Sequence, residues 1–86
     1  MSHQVNLRPA AQRFLRKLRD EALTDRLVTA LRELGENPRP PGCLKMAGSE
    51  GFYRVRVGEY RIIYQIHDDR LVVLVVEIGH RREIYR

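Results

Sequence analysis

The stretch Phe52-Tyr53-Arg54-Val55-Arg56-Val57-Gly58-Glu59-Tyr60-Arg61-Ile62-Ile63-Tyr64 decides the fold. Its first six residues have a period of two, so Tyr53, Val55 and Val57 share one face of a strand and Phe52, Arg54 and Arg56 share the other. Gly58-Glu59 is a joint short enough for an antiparallel hairpin. The period resumes over Tyr60 to Ile66, where Tyr60, Ile62, Tyr64 and Ile66 oppose Arg61, Ile63 and Gln65. If the apolar sets pack inward, Arg54, Arg56 and Arg61 converge on the open face of a sheet.

Downstream, Asp68-Asp69 marks a second hairpin joint, and Leu71 to Ile78 reads as a third strand. Its Leu-Val-Val-Leu-Val-Val run is apolar on both faces, which predicts an inner strand paired on both sides. Upstream, Arg39-Pro40-Pro41-Gly42-Cys43 is a loop. Before it, Leu23, Leu27, Leu31 and Leu34 form a helical stripe that Gly35 and Asn37-Pro38 are expected to stop. Earlier still, Ala11, Phe14, Leu15 and Leu18 recur at helical spacing behind Pro9, a residue suited to a first turn. Residues 3–7 alternate and predict a short edge strand. The order β-α-α-β-β-β predicts an α+β fold. It is a small antiparallel sheet of three to four strands, with an N-terminal αα-hairpin packed on one face.

At 86 residues the chain is expected to form one domain, residues 1–86, with little core to spare for a cofactor cavity. Function is therefore expected on the outer surface, without a cofactor. Sixteen Lys and Arg against 11 Asp and Glu leave a net charge of +5, and this balance points to a polyanionic partner. The single cysteine, Cys43, rules out a disulfide framework and a cysteine-rich zinc site. His3, His67 and His80 share no metal-ligand spacing, so no metal is expected. Residues 1–8 lack the apolar core of a signal peptide, and the longest apolar run is too short to span a membrane. A cytoplasmic protein is the expectation.

Guanidinium groups stay charged and bind phosphate bidentately, so Arg54, Arg56 and Arg61 on one face suit a nucleic-acid backbone, with Lys45 nearby. The same pattern also fits a solvated face whose arginines pair with Glu50, Glu59 and Glu77. The tail Gly79-His80-Arg81-Arg82-Glu83-Ile84-Tyr85-Arg86 adds cations, a histidine and a tyrosine just beyond the inner strand. Such a tail either covers the open face, completing a basic site with titratable groups, or frays into solvent.

The stretch Lys45-Met46-Ala47-Gly48, the segment from Phe52 to Tyr64 and the late Gly79-His80-Arg81-Arg82-Glu83-Ile84-Tyr85 together resemble the RelE/ParE superfamily of bacterial toxins. The likeness covers nearly the whole chain. It implies a cytoplasmic toxin of a type II toxin–antitoxin system with a cognate antitoxin. In the RelE branch it implies cleavage of mRNA in the ribosomal A site. There a ribose 2′-OH attacks its own 3′ phosphate in line, leaving a 2′,3′-cyclic phosphate and a 5′-OH.

By this resemblance Arg61 and Arg81 match the arginines that grip the scissile phosphate. Tyr85, with His80 beside it, is the candidate for moving protons. Arg54, Arg56, Lys45 and Arg82 are the RNA-binding set. Arg54 and Arg56 match positions that are lysine in some members. Because arginine does not deprotonate, their role is taken as electrostatic. The resemblance leaves two further readings open, a ParE-like toxin that poisons DNA gyrase without catalysis, and a basic RNA-binding module. Operator DNA is expected to be bound only through the antitoxin, since no recognition helix is visible in the sequence.

Overall fold

The computed structural model describes residues 2–48 and 51–80. The elements run β1 (Gln4–Leu7), α1 (Pro9–Lys17), α2 (Glu21–Glu36), β2 (Leu44–Lys45), β3 (Phe52–Val57), β4 (Tyr60–His67) and β5 (Val72–His80). Pro9 starts α1, where its missing N–H costs nothing, and Arg16 and Lys17 place positive charge on the last turn. Asp20 caps α2: its carboxylate accepts the Leu23 N–H at 3.0 Å. The helix ends at Asn37, the residue whose α conformation Pro38 disfavours.

Gly35 does not stop α2; it lies inside the helix. A Cβ there would stand 3.0 Å from the His3 carbonyl oxygen and 3.1 Å from Val5 Cγ2. The glycine is a packing residue that lets β1 pass against the helix. The His3 N–H donates to the Gly35 carbonyl at 2.7 Å across that contact.

The sheet has five strands in the order β1-β5-β4-β3-β2. This is more than the three or four expected, and the sheet is mixed, because β1 runs parallel to β5 while the other pairs are antiparallel. The extra strand, β2, has only two residues, too few to show a period. The doubly apolar β5 does lie between two partners, β1 and β4, and β1 is at an edge.

One irregularity sets the faces of β5. Tyr64 pairs with Val75 and Ile63 with Glu77, so Val76 is an extra residue in a β-bulge. The bulge sends Glu77 to the open face and Ile78 into the core. In an uninterrupted strand Val73, Val75 and Glu77 would share a side.

The core lies between the helices and one face of the sheet. It contains Ala11, Leu27, Leu31, Leu34, Ile62, Tyr64, Val73, Val75 and Ile78, with Tyr53, Val55, Val57, Tyr60 and Ile66 packed against it. Tyr64 is fully buried, and its hydroxyl donates to the Pro38 carbonyl at 2.8 Å, fastening the chain where it leaves α2. Burial pushes the Tyr64 phenol well above its ordinary range.

Candidate nucleic-acid interface

With the apolar residues of β3 and β4 turned to the helices, the opposite face is built from cross-strand rows. Arg56, Arg61 and Gly79 form one row; Arg54, Ile63 and Glu77 form the next; Phe52, Gln65 and Leu74 form the third. Each row lies two residues, about 6.7 Å, from its neighbour. Arg56 and Arg61 are direct cross-strand partners. Like charges directly opposite disfavour a sheet, and Arg56 eases this by turning toward Gly58 and Glu59.

Between the arginines lies Ile63, buried to 7% exposure although it faces away from the helix-side core. Arg54 and Arg61 are half-buried beside it. A dry floor under cations lowers the local dielectric and strengthens their attraction for an anion. Arg56 is turned along its own strand toward the hairpin. Its Nε donates to the Gly58 carbonyl at 2.8 Å, and Nη2 lies 3.9 Å from the Glu59 carboxylate. The centre of the face thus belongs to Arg54 and Arg61, with Arg56 at its rim.

The other candidates separate. Lys45 pairs in register with Tyr53, whose side chain packs on the helix-side core, so Lys45 stands on that side of the sheet edge. His80 pairs with Tyr60, and their rings meet edge-on at 5.3 Å. Tyr60 in turn packs against Phe14 of α1 at 5.8 Å. His80 therefore lies on the helix side, away from Arg54 and Arg61, because the bulge at Val76 reverses the alternation the sequence implies. Arg81, Arg82 and Tyr85 lie outside the described residues.

Arg39, in the loop after α2, has a structural partner. Its guanidinium lies 3.0 Å from one Asp68 carboxylate oxygen, and His3 Nε2 lies 3.1 Å from the other. The same guanidinium sits over the Tyr53 ring at 5.7 Å. Arg39, then His3, hold the Asp68 carboxyl below its ordinary range. This junction ties the β4–β5 turn to the loop after α2 and to the start of the chain.

Sequence reasoning assigned no role to a hollow on the open face, lined by Arg8, Phe52, Gln65, Leu74, Val76 and Glu77. The parity of β3 and β4 put Phe52 and Gln65 on this face. Glu77 also stands on this face, as the reading of a solvated face with acidic partners expected, and it is the bulge that puts it there.

A family model described as the ParE toxin of type II toxin–antitoxin systems matches residues 5–85. The chain belongs to this family. Among curated relatives, toxin RelG of Mycobacterium tuberculosis is 30% identical over 86 residues, covering 100% of this chain and 99% of the relative. A RelE-like toxin protein of Escherichia coli is 31% identical over 83 residues, covering 94% and 85%.

The fold of this toxin is similar to that in the intact E. coli RelBE toxin–antitoxin complex, with a TM-score of 0.79, 27% identity and 92% and 96% of the two chains covered. It is also similar to that in the M. tuberculosis RelBE2 complex, with a TM-score of 0.78, 25% identity and 94% and 93% covered. No helix among the described residues of the toxin is long and apolar enough to cross a membrane.

Proposed function

We propose that this toxin is a ribosome-dependent mRNA endonuclease that inhibits translation by cutting the message in the A site. The observation that carries the reading is the placement of Arg54 and Arg61 beside the buried floor of Ile63, with Arg56 at the rim. Cleavage forms a bond between the ribose 2′ oxygen and phosphorus and breaks the bond from phosphorus to the 5′ oxygen. One proton leaves the 2′-OH and one reaches the departing 5′ oxygen. Charge accumulates on the phosphorane's non-bridging oxygens, where fixed guanidinium groups over a dry floor act most strongly.

Arg61 and Arg54 supply that charge, and Arg81 joins them at the scissile phosphate. Tyr85 handles the protons, since His80 lies on the helix side of the sheet and no lysine shares the face. Among the described residues the open face carries no strong base, which fits dependence on a ribosome that holds the nucleotide in line and so lowers the barrier the protein must address.

The cognate antitoxin is the protein partner. A groove of about 520 Å³ between α2 and β3, lined by Ala30, Leu34, Val55 and Val57 and rimmed by Asp25, Arg26, Glu33 and Arg56, offers it an apolar floor with charges of both signs at its edge. Operator DNA is reached through the antitoxin, and the toxin acts in the cytoplasm.

The test is addition of the toxin to a translating extract, with primer extension to find cleavage at A-site codons and naked RNA as the comparison. The ParE description of the matching family model favours one other reading, a gyrase poison. Continued translation with blocked gyrase supercoiling selects it.

A further inference from the structure

We propose that the hollow beside Arg54 is a subsite for one unpaired nucleobase of single-stranded RNA, with Phe52 as its stacking platform. The inference deepens the endonuclease reading, on which it rests for the source of the RNA. The cavity measures about 590 Å³, within the range of sites that take small organic groups.

Its position follows from the rows. Arg54 and Arg61 would hold a phosphate, and Phe52, Gln65 and Leu74 lie one row beyond Arg54 along the same strands. That step of about 6.7 Å is of the order of one nucleotide of an extended single strand. A chain with a phosphate on the arginines therefore brings a neighbouring base over Phe52.

The lining offers a base an aromatic platform and groups of both hydrogen-bonding kinds, with Arg8 as a donor and Glu77 and Gln65 at its edge. Glu77 places a carboxylate in the hollow, which repels phosphate but accepts hydrogen bonds from the amino and imino groups of a base. Gln65 carries both a donor and an acceptor, as the edge of a base requires. Leu74 and Val76 give the opposite wall an apolar surface. Recognition of single-stranded RNA combines these same parts, a base stacked on an aromatic ring and polar groups at its edge. The bulge at Val76 is the device that builds the site, because it turns Glu77 to this face.

The experiment is an NMR titration of the toxin, carrying labelled phenylalanine, with a 2′-O-methyl RNA hexamer that cannot be cleaved. The chain has two phenylalanines, and Phe14, packed on Tyr60 at the other face, is the internal reference. Ring-current shifts of Phe52 with Phe14 unmoved are expected. Phe52→Leu is expected to weaken hexamer binding roughly 5- to 100-fold, and Glu77→Gln to change the ranking of codons cut in the translating extract. A Phe52 ring that stays unmoved, whether or not the hexamer binds elsewhere, overturns the subsite. If the wild type cuts mRNA and Phe52→Leu cuts it equally well, the subsite falls and the endonuclease reading stands. If the wild type cuts none while the Phe52 ring still shifts, the subsite stands and the endonuclease reading falls.

Discussion

Replacing Tyr64 with Phe removes one oxygen from the centre of the molecule and leaves the ring, so the consequence can be worked from a single bond. The hydroxyl is fully buried and donates to the Pro38 carbonyl at 2.8 Å. Without it that carbonyl loses its hydrogen-bond donor, a loss of about 1.5 kcal/mol, within the range for leaving a buried acceptor unsatisfied. For a domain this small, 1 kcal/mol shifts the melting temperature by about 4–8 °C, so Tyr64→Phe is expected to melt roughly 6–12 °C lower at neutral pH.

The difference then depends on pH with a definite sign. Burial raises the phenol's pKa in the folded state, so its contribution is complete below the unfolded value near 10. It is lost above that value, because the unfolded chain ionises where the folded one does not. At pH 11 this penalty reaches about 1.4 kcal/mol and cancels the hydrogen bond. Urea unfolding of both proteins between pH 7 and 11 should show curves that converge near pH 11. A constant gap across that range would refute the reasoning.

Two further perturbations test the frame around the site. Gly35→Ala stabilises an ordinary exposed helix, but here its Cβ meets the His3 carbonyl and Val5 at 3.0 and 3.1 Å. It is expected to cost about 1–3 kcal/mol in thermal unfolding, and any stabilisation would contradict the close packing of β1 on α2. Asp68→Asn removes the carboxylate shared by Arg39 and His3. Because Asp68 titrates below its ordinary range, the wild type's advantage should be complete above about pH 4 and fade as pH falls through the folded value. Acid titrations of stability that run parallel for the two proteins would show that the junction contributes nothing.

The alternation from Phe52 to Tyr64 was legible because Tyr53, Val55, Val57, Tyr60, Ile62 and Tyr64 keep one parity while the arginines keep the other; only Phe52 and Ile63, apolar residues on the open face, depart from it. The helices were legible for the same reason, and the inner place of β5 followed from its apolar residues on both faces. What escaped depended on distant contacts. Gly35 reads as a stop signal until β1 is known to cross it. Val76 looks like any other valine in an apolar run, and only pairing with β4 makes it the bulge that reverses His80 and Glu77. Arg39 reads only as a loop cation until Asp68, 29 residues away, takes its guanidinium. The parallel pairing of β1 with β5 joins the two ends of the described chain, a separation over which no local periodicity extends.

The central claim is that the arginines over Ile63 stabilise a cleaving phosphate. Its most direct test is primer extension on mRNA from a translating extract treated with wild type or Arg61→Ala. The wild type should cut within A-site codons. Arg61→Ala should cut at least about 100-fold more slowly, the order lost with one transition-state donor, while its melting curve stays cooperative and its antitoxin binding is retained. Equal cleavage by the two proteins would contradict the claim, as would an intact message accompanied by blocked gyrase supercoiling.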